Sequence, residues 1–167
     1  MKNKIKAISI VSVLVAAFSV SAAQRDITVN AEIDPTVDIT LADGSPLPTT
    51  ATMQYLPGKG LADYSQQVKL WSNTTDRDLL VSLVNTPSLT DNNGTNAIPL
   101  KVTLNGNALS TTSKTLTFAS TFPNGVANGS SVMPLVISQE NPNAITTSGS
   151  YSGVVSIVVA QAAAANP

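Results

Sequence analysis

Between residues 27 and 159 the chain is written in short runs of alternating apolar and polar residues, each run cut off by Pro, Gly, Asn or Asp. A period of two puts successive side chains on opposite faces of a strand, and no stretch sustains the 3.6-residue period of a helix. Ile27, Val29, Ala31 and Ile33 alternate with Thr28, Asn30, Glu32 and Asp34. After Pro35 the pattern resumes with Val37, Ile39 and Leu41, then breaks at Asp43-Gly44-Ser45-Pro46 and a Pro/Thr-rich loop up to Thr52. Further strands are predicted at Met53–Tyr55, Tyr64–Trp71, Leu79–Leu83 (ending near Pro87), Ile98–Leu104, Leu116–Phe118 and Val132–Ile137. Asn105-Gly106 is the dipeptide best suited to a two-residue type I′ hairpin turn, so Asn107–Ser110 should return beside Ile98–Leu104. Pro134 predicts an edge position or a bulge. Tyr151, Gly153, Val155, Ile157 and Val159 read as one last strand, and its second apolar face, Val154 and Val158, predicts cover on both sides. About eight or nine short strands at this spacing predict one all-β sandwich of immunoglobulin-like type.

Composition narrows the function. The 167 residues include no His and no Cys. His-dependent nucleophile activation, the commonest metal ligand, thiolate chemistry and disulfides are all absent from the repertoire. No cofactor and no enzymatic activity are expected. Formal net charge is −1, and no Lys/Arg cluster lies beyond the first six residues, so no nucleic-acid partner is expected either.

Lys2, Lys4 and Lys6 precede an apolar run, Ala7–Val20, and small residues, Ser21-Ala22-Ala23. This is the three-part pattern of a secretory signal, with a run too short to span a bilayer. Residues 1–22 are read as the signal, with cleavage after Ala22 or Ala23. Losing them removes three of nine bases and none of ten acids, leaving six against ten, a net charge of −4. An exported chain without disulfides must hold itself together by packing and ladder hydrogen bonds. Together these features point to a bacterial periplasmic or surface protein.

The two ends are unequal. The front offers a clean strand, Ile27–Ile33, set apart by Pro35; the back, Ala160–Pro167, has no alternation and supplies no further core strand. A surplus strand in front and a deficit behind suggest that one subunit completes the sheet of another, which is strand addition between identical chains. An ordinary first strand pairing within its own domain accounts for the same pattern, and Pro35 does not decide between them.

Four segments resemble the class 5 (alpha-type) fimbrial major subunits, the family of colonization factor antigen I, coli surface antigen 1 and the cable pilus. They are Ile27-Thr28-Val29-Asn30-Ala31-Glu32-Ile33-Asp34-Pro35-Thr36-Val37-Asp38, Ala42–Pro48, Leu109-Ser110-Thr111-Thr112 and Gly149–Ile157. The resemblance implies a sandwich lacking its final strand, completed by donor strand exchange. It implies a periplasmic chaperone that lends a strand, an outer-membrane usher that swaps it for the next subunit's N-terminal extension, a homopolymer of identical pilin subunits, and a tip adhesin subunit on a cell-surface fimbrium. On this carry-over residues 23–34 are the donor extension and 35–167 the pilin body. Ile27, Val29, Ala31 and Ile33 are the donor side chains and Pro35 the hinge. Val37, Ile39 and Leu41, with Tyr151, Val155, Ile157 and Val159, line the acceptor groove.

Other features read as ordinary surface. Asp76 and Asp78 flank a strand start. Asp91-Asn92-Asn93-Gly94 resembles a calcium loop, but Val102 stands where the bidentate Glu belongs. Three sequon matches, at Asn73, Asn93 and Asn128, are idle behind a bacterial-type signal. Trp71 offers a platform for a sugar ring, so a monomeric secreted carbohydrate-binding sandwich is the alternative expectation.

Overall fold

The computed structural model describes residues 37–163. In chain order the strands are β1 (Val37–Leu41), β2 (Tyr55–Leu56), β3 (Gly60–Leu61), β4 (Tyr64–Ser72), β5 (Leu79–Leu83), β6 (Ser88–Asp91), β7 (Ala97–Leu104), β8 (Asn107–Ala108) and β9 (Lys114–Leu116). A helical turn α1 (Phe118–Thr121), a 3₁₀ turn (Val126–Asn128), β10 (Met133–Gln139), β11 (Tyr151–Ser152) and β12 (Ile157–Gln161) complete it. A seven-stranded antiparallel sheet runs β1-β4-β10-β7-β6-β11, with β8 also on β7; a three-stranded sheet runs β12-β5-β9; β2 and β3 form a small hairpin.

The two main sheets share one core. Val68 and Leu70 of β4, Val102 and Leu104 of β7 and Met133 and Leu135 of β10 meet Leu79, Val81 and Leu83 of β5, with Leu109 and Phe122 at the margin. Burial follows the predicted alternation: in β7 the order is exposed, buried, exposed, buried from Ala97 to Val102. Fully burying one such Val or Leu side chain is worth roughly 1.5–3 kcal/mol, so this cluster, without any disulfide, is the main source of stability. The Asn105-Gly106 hairpin is present, with φ of 50° and 75° at the two turn residues and β8 paired back onto β7.

Four strand expectations need correction. Tyr151–Val159 is not one strand: β11 pairs with β6 in the large sheet, and β12 pairs with β5 in the small one. The switch follows Gly153, whose backbone passes so close to the Ser88 carbonyl that any Cβ would collide with it. Val154 and Val158 are correspondingly not covered; they are 73% and 44% exposed. Phe118 opens a helical turn instead of a strand. Its ring stacks at 5.3 Å on buried Phe122, and Pro123 stops the turn by restricting the residue before it.

Pro134 lies in the central strand β10, between β4 and β7. Its carbonyl accepts from Asn105 N at 2.8 Å, at the tip of the β7–β8 hairpin. A strand residue's N and O point the same way, so the missing N–H faces the turn, beyond the last paired residue of β7. Finally, β6 is a strand that the pattern does not announce, because Ser88-Leu89-Thr90-Asp91 holds a single apolar residue.

Candidate functional site

The two sheets differ in width, and their mismatch makes a groove. Opposite the inner face of the large sheet, the small sheet has only β9, β5 and β12. β12 is bonded to β5 on one side and, among the described residues, to no strand on the other. β1 is the matching edge of the large sheet, and the two edge strands lie against each other. Beyond their contact the inner face of the large sheet is unroofed, leaving a cavity of about 940 Å³. Its floor includes Leu89, Ile98, Leu100, Leu135 and Ile137, and its sides are residues 47–53 and 145–149.

Hydrogen bonds fix those sides. The Tyr55 hydroxyl donates to the Ile145 carbonyl at 3.1 Å and the Tyr151 hydroxyl to the Thr147 carbonyl at 3.0 Å. The Gln139 side chain accepts from Leu61 N at 3.0 Å and donates to the carbonyls of Asn141 at 2.9 Å and Asn143 at 3.2 Å. Leu47 hangs between Pro46 and Pro48 and packs on the core.

Tyr151, Val155 and Ile157 line the cavity. Val159 packs on the core further along β12, and Val37, Ile39 and Leu41 pack on it from β1, outside the cavity wall; all four are half-buried. The expected donor residues Ile27, Val29, Ala31 and Ile33, and the hinge Pro35, lie outside the described residues. Sequence reasoning missed Leu47 and the floor residues of β6, β7 and β10. Leu47 was detectable as the single large apolar residue in a Pro/Thr-rich loop. The floor residues carried the right alternation, but alternation does not tell a covered position from an unroofed one.

No acid–base pair or metal cluster forms among the described residues. Asp78 is instead spent on structure, its carboxylate accepting from Phe118 N at 2.8 Å. Asp91 closes the β6–β7 turn, accepting from the backbone N–H groups of Thr95 and Asn96 and from both their side chains. These bonds, led by the Asn96 amide, push its pKa down from 3.8 to about 2. Trp71 is edge packing: Nε1 donates to Thr40 Oγ1 at 2.8 Å. Its ring lies against Gly129, and the Lys69 ammonium stands 5.9 Å from its centre. Protein therefore occupies the surroundings that a sugar would need.

An antiparallel two-sheet sandwich with an open-edged last strand and an apolar groove beside it has the architecture of an assembly module. Residues 23–160 match the family model of the CS1 type fimbrial major subunit, and the chain belongs to that family. It is 38% identical over 164 residues to a CFA/I fimbrial protein, the major-type subunit of Escherichia coli O78:H11 (strain H10407 / ETEC), covering 95% of this chain and 96% of that one. To a CS1 fimbrial subunit of Escherichia coli it is 31% identical over 166 residues, with the same coverage of 95% and 96%. The solved structure of the CooA pilin subunit from enterotoxigenic Escherichia coli superposes with a TM-score of 0.66 at 28% identity, over 76% of this chain and 88% of that one. The protein is a structural pilin of surface fimbriae, and such fimbriae are polymers of identical subunits.

Proposed function

We propose that this pilin polymerises by donor strand exchange, the N-terminal extension of one subunit entering the groove of the next. The observation that carries the reading is the condition of β12. Its core-facing residues Ile157 and Val159 alternate as a core strand should, yet neither is buried, and the strand beside them is absent among the described residues. Residues 27–33 alternate with the same period and bring three large β-branched side chains and Ala31. Burying those four gives a gross gain on the order of 5–10 kcal/mol, before ladder hydrogen bonds and ordering costs. Dissociation would need the whole ladder to break together, which suits a surface fibre without covalent links.

Before exchange the groove is an exposed apolar strand edge and a site for aggregation. A periplasmic chaperone lending a strand, and an outer-membrane usher catalysing the swap, answer that hazard. Export through the periplasm follows from the N-terminal signal pattern. The finished fimbrium carries a tip adhesin and attaches the cell to host or neighbouring surfaces.

Val29→Asp tests the reading. It places a carboxylate in the apolar groove at a cost of several kcal/mol. The expected result is a folded subunit that yields no filaments, while Thr28→Asp, on the opposite face of the strand, assembles normally. Normal filaments from Val29→Asp would remove strand donation.

A further inference from the structure

The outer face of the small sheet is uncharged and studded with exposed valine. Leu79, Val81 and Leu83 of β5 and Ile157 and Val159 of β12 face the core. The alternate residues face out, and register aligns them: Leu80 opposite Ala160, and Ser82 opposite Val158. Just past the strands, Val84 N donates to the Ser156 carbonyl at 3.0 Å. Thr115 of β9 extends the row beside Leu80. Val84 is 63% exposed, Val158 44%, and Val154, in the link entering β12, 73%. The outward positions of the large sheet are different in kind: Asp38, Lys69 and Lys101 stand there.

A contiguous apolar face without a single Lys, Arg, Asp or Glu is the usual mark of a surface that is covered in the working state. We propose that it is covered by a second copy of this chain, as the lateral contact between pilin bodies in the fimbrium. Three observations select that occupant. The family polymerises identical subunits, so the neighbour present at highest local concentration is this chain. The mature copies repel one another at a net charge of −4, and a face of Val, Ser, Ala, Leu and Thr is where they approach with least Coulomb cost. The third rests on the strand-exchange reading: residues 34–36 join donor strand to β1, and three residues reach at most about 11 Å. That tether holds the donating body against the rim that includes β12.

Because the chain has no cysteine, single thiols report on the face directly. Val158→Cys and Ser82→Cys are assembled into filaments, and maleimide labelling is compared with the same variant before assembly. Labelling on assembly is expected to slow about tenfold or more, as a thiol loses solvent access. Val158→Lys is expected to keep strand-exchanged multimers, seen as ladders on a denaturing gel without heating, but to turn stiff rods into thin, flexible fibrils. Unchanged labelling at both thiols, or Val158→Lys rods of wild-type diameter and stiffness, would overturn the proposal. The strand-exchange reading fails by a different sign, normal filaments from Val29→Asp, and that outcome leaves the labelling contrast as it stands.

Discussion

β5 and β12 are neighbours in one sheet and are written alike, apolar residues alternating with small or polar ones, yet they end in different states. In β5 the core-facing residues are 0%, 0% and 4% exposed (Leu79, Val81, Leu83). In β12, paired with it residue for residue, no side chain reaches full burial. Sequence pattern fixes which way a side chain points; burial also needs a wall on the far side. β5 has strands on both flanks, whereas β12 has one flank and an edge. The contrast separates residues that hold the subunit together from residues held ready for a partner.

The largest effect should come from a charge on the finished side of that contrast. Val81→Asp puts a carboxylate at a position with no solvent contact, at a cost on the order of 5 kcal/mol even after the group neutralises. That is comparable to the whole stability of a small domain, so urea titration should find little folded protein. Ile157→Asp, on the neighbouring strand, should cost the lone subunit only about 1–2 kcal/mol and still abolish filaments. If both variants were equally unstable before assembly, the distinction between the two strands would collapse.

A peptide sharpens the contrast from the other side. A truncated chain that starts at Asp34 should melt higher when given a peptide of residues 24–34, by about 2.7 kcal/mol of added stability at a hundred times its Kd. Hydrogen exchange should slow most in β12 and least in β5. A scrambled peptide of equal composition loses the match between alternation and pockets and should do much less. A truncated chain that ignores the native peptide would mean that β12 needs no partner.

The legible parts of this fold were those governed by local chemistry. Val37–Leu41, Tyr64–Trp71, Leu79–Leu83 and Ile98–Leu104 carry a clear period and became strands, and Asn105-Gly106 supplied the positive φ its hairpin requires. What was not legible depended on distant partners. Gly153 breaks the last strand because Ser88 crosses it, and Ser88–Asp91 is a strand only because β7 and β11 flank it. Pro134 is tolerated in mid-sheet because its neighbour β7 has already turned away. Of the expected groove residues, those on β12 and just before it needed only alternation to be found. The floor under them needed the two sheets to differ in width, which no single segment records.

The smallest effect concerns the floor itself. β6 contributes Leu89 to the cavity, where no strand of the small sheet backs it, and its end is held by Asp91. The Asp91 carboxylate accepts four bonds that a protonated carboxyl accepts less well, and this lowers its pKa to about 2. A depressed folded-state pKa contributes stability that is present above the unfolded value of 3.8. That contribution is lost as pH falls through the folded value. Lowering pH from about 4 to about 2 should therefore loosen the β6–β7 turn, with faster amide exchange at Thr95, Asn96 and the end of β6. The β5 amides, backed on both flanks and free of such a carboxylate, should keep their protection through the same window. The group is solvent-accessible, so the change in global melting should be slight and weaker in high salt. Asp91→Asn should give the loosened turn already at neutral pH and remove its acid dependence. If β5 and β6 lose protection together, the turn is part of the common core, and the unroofed half of the sandwich has no local stability of its own.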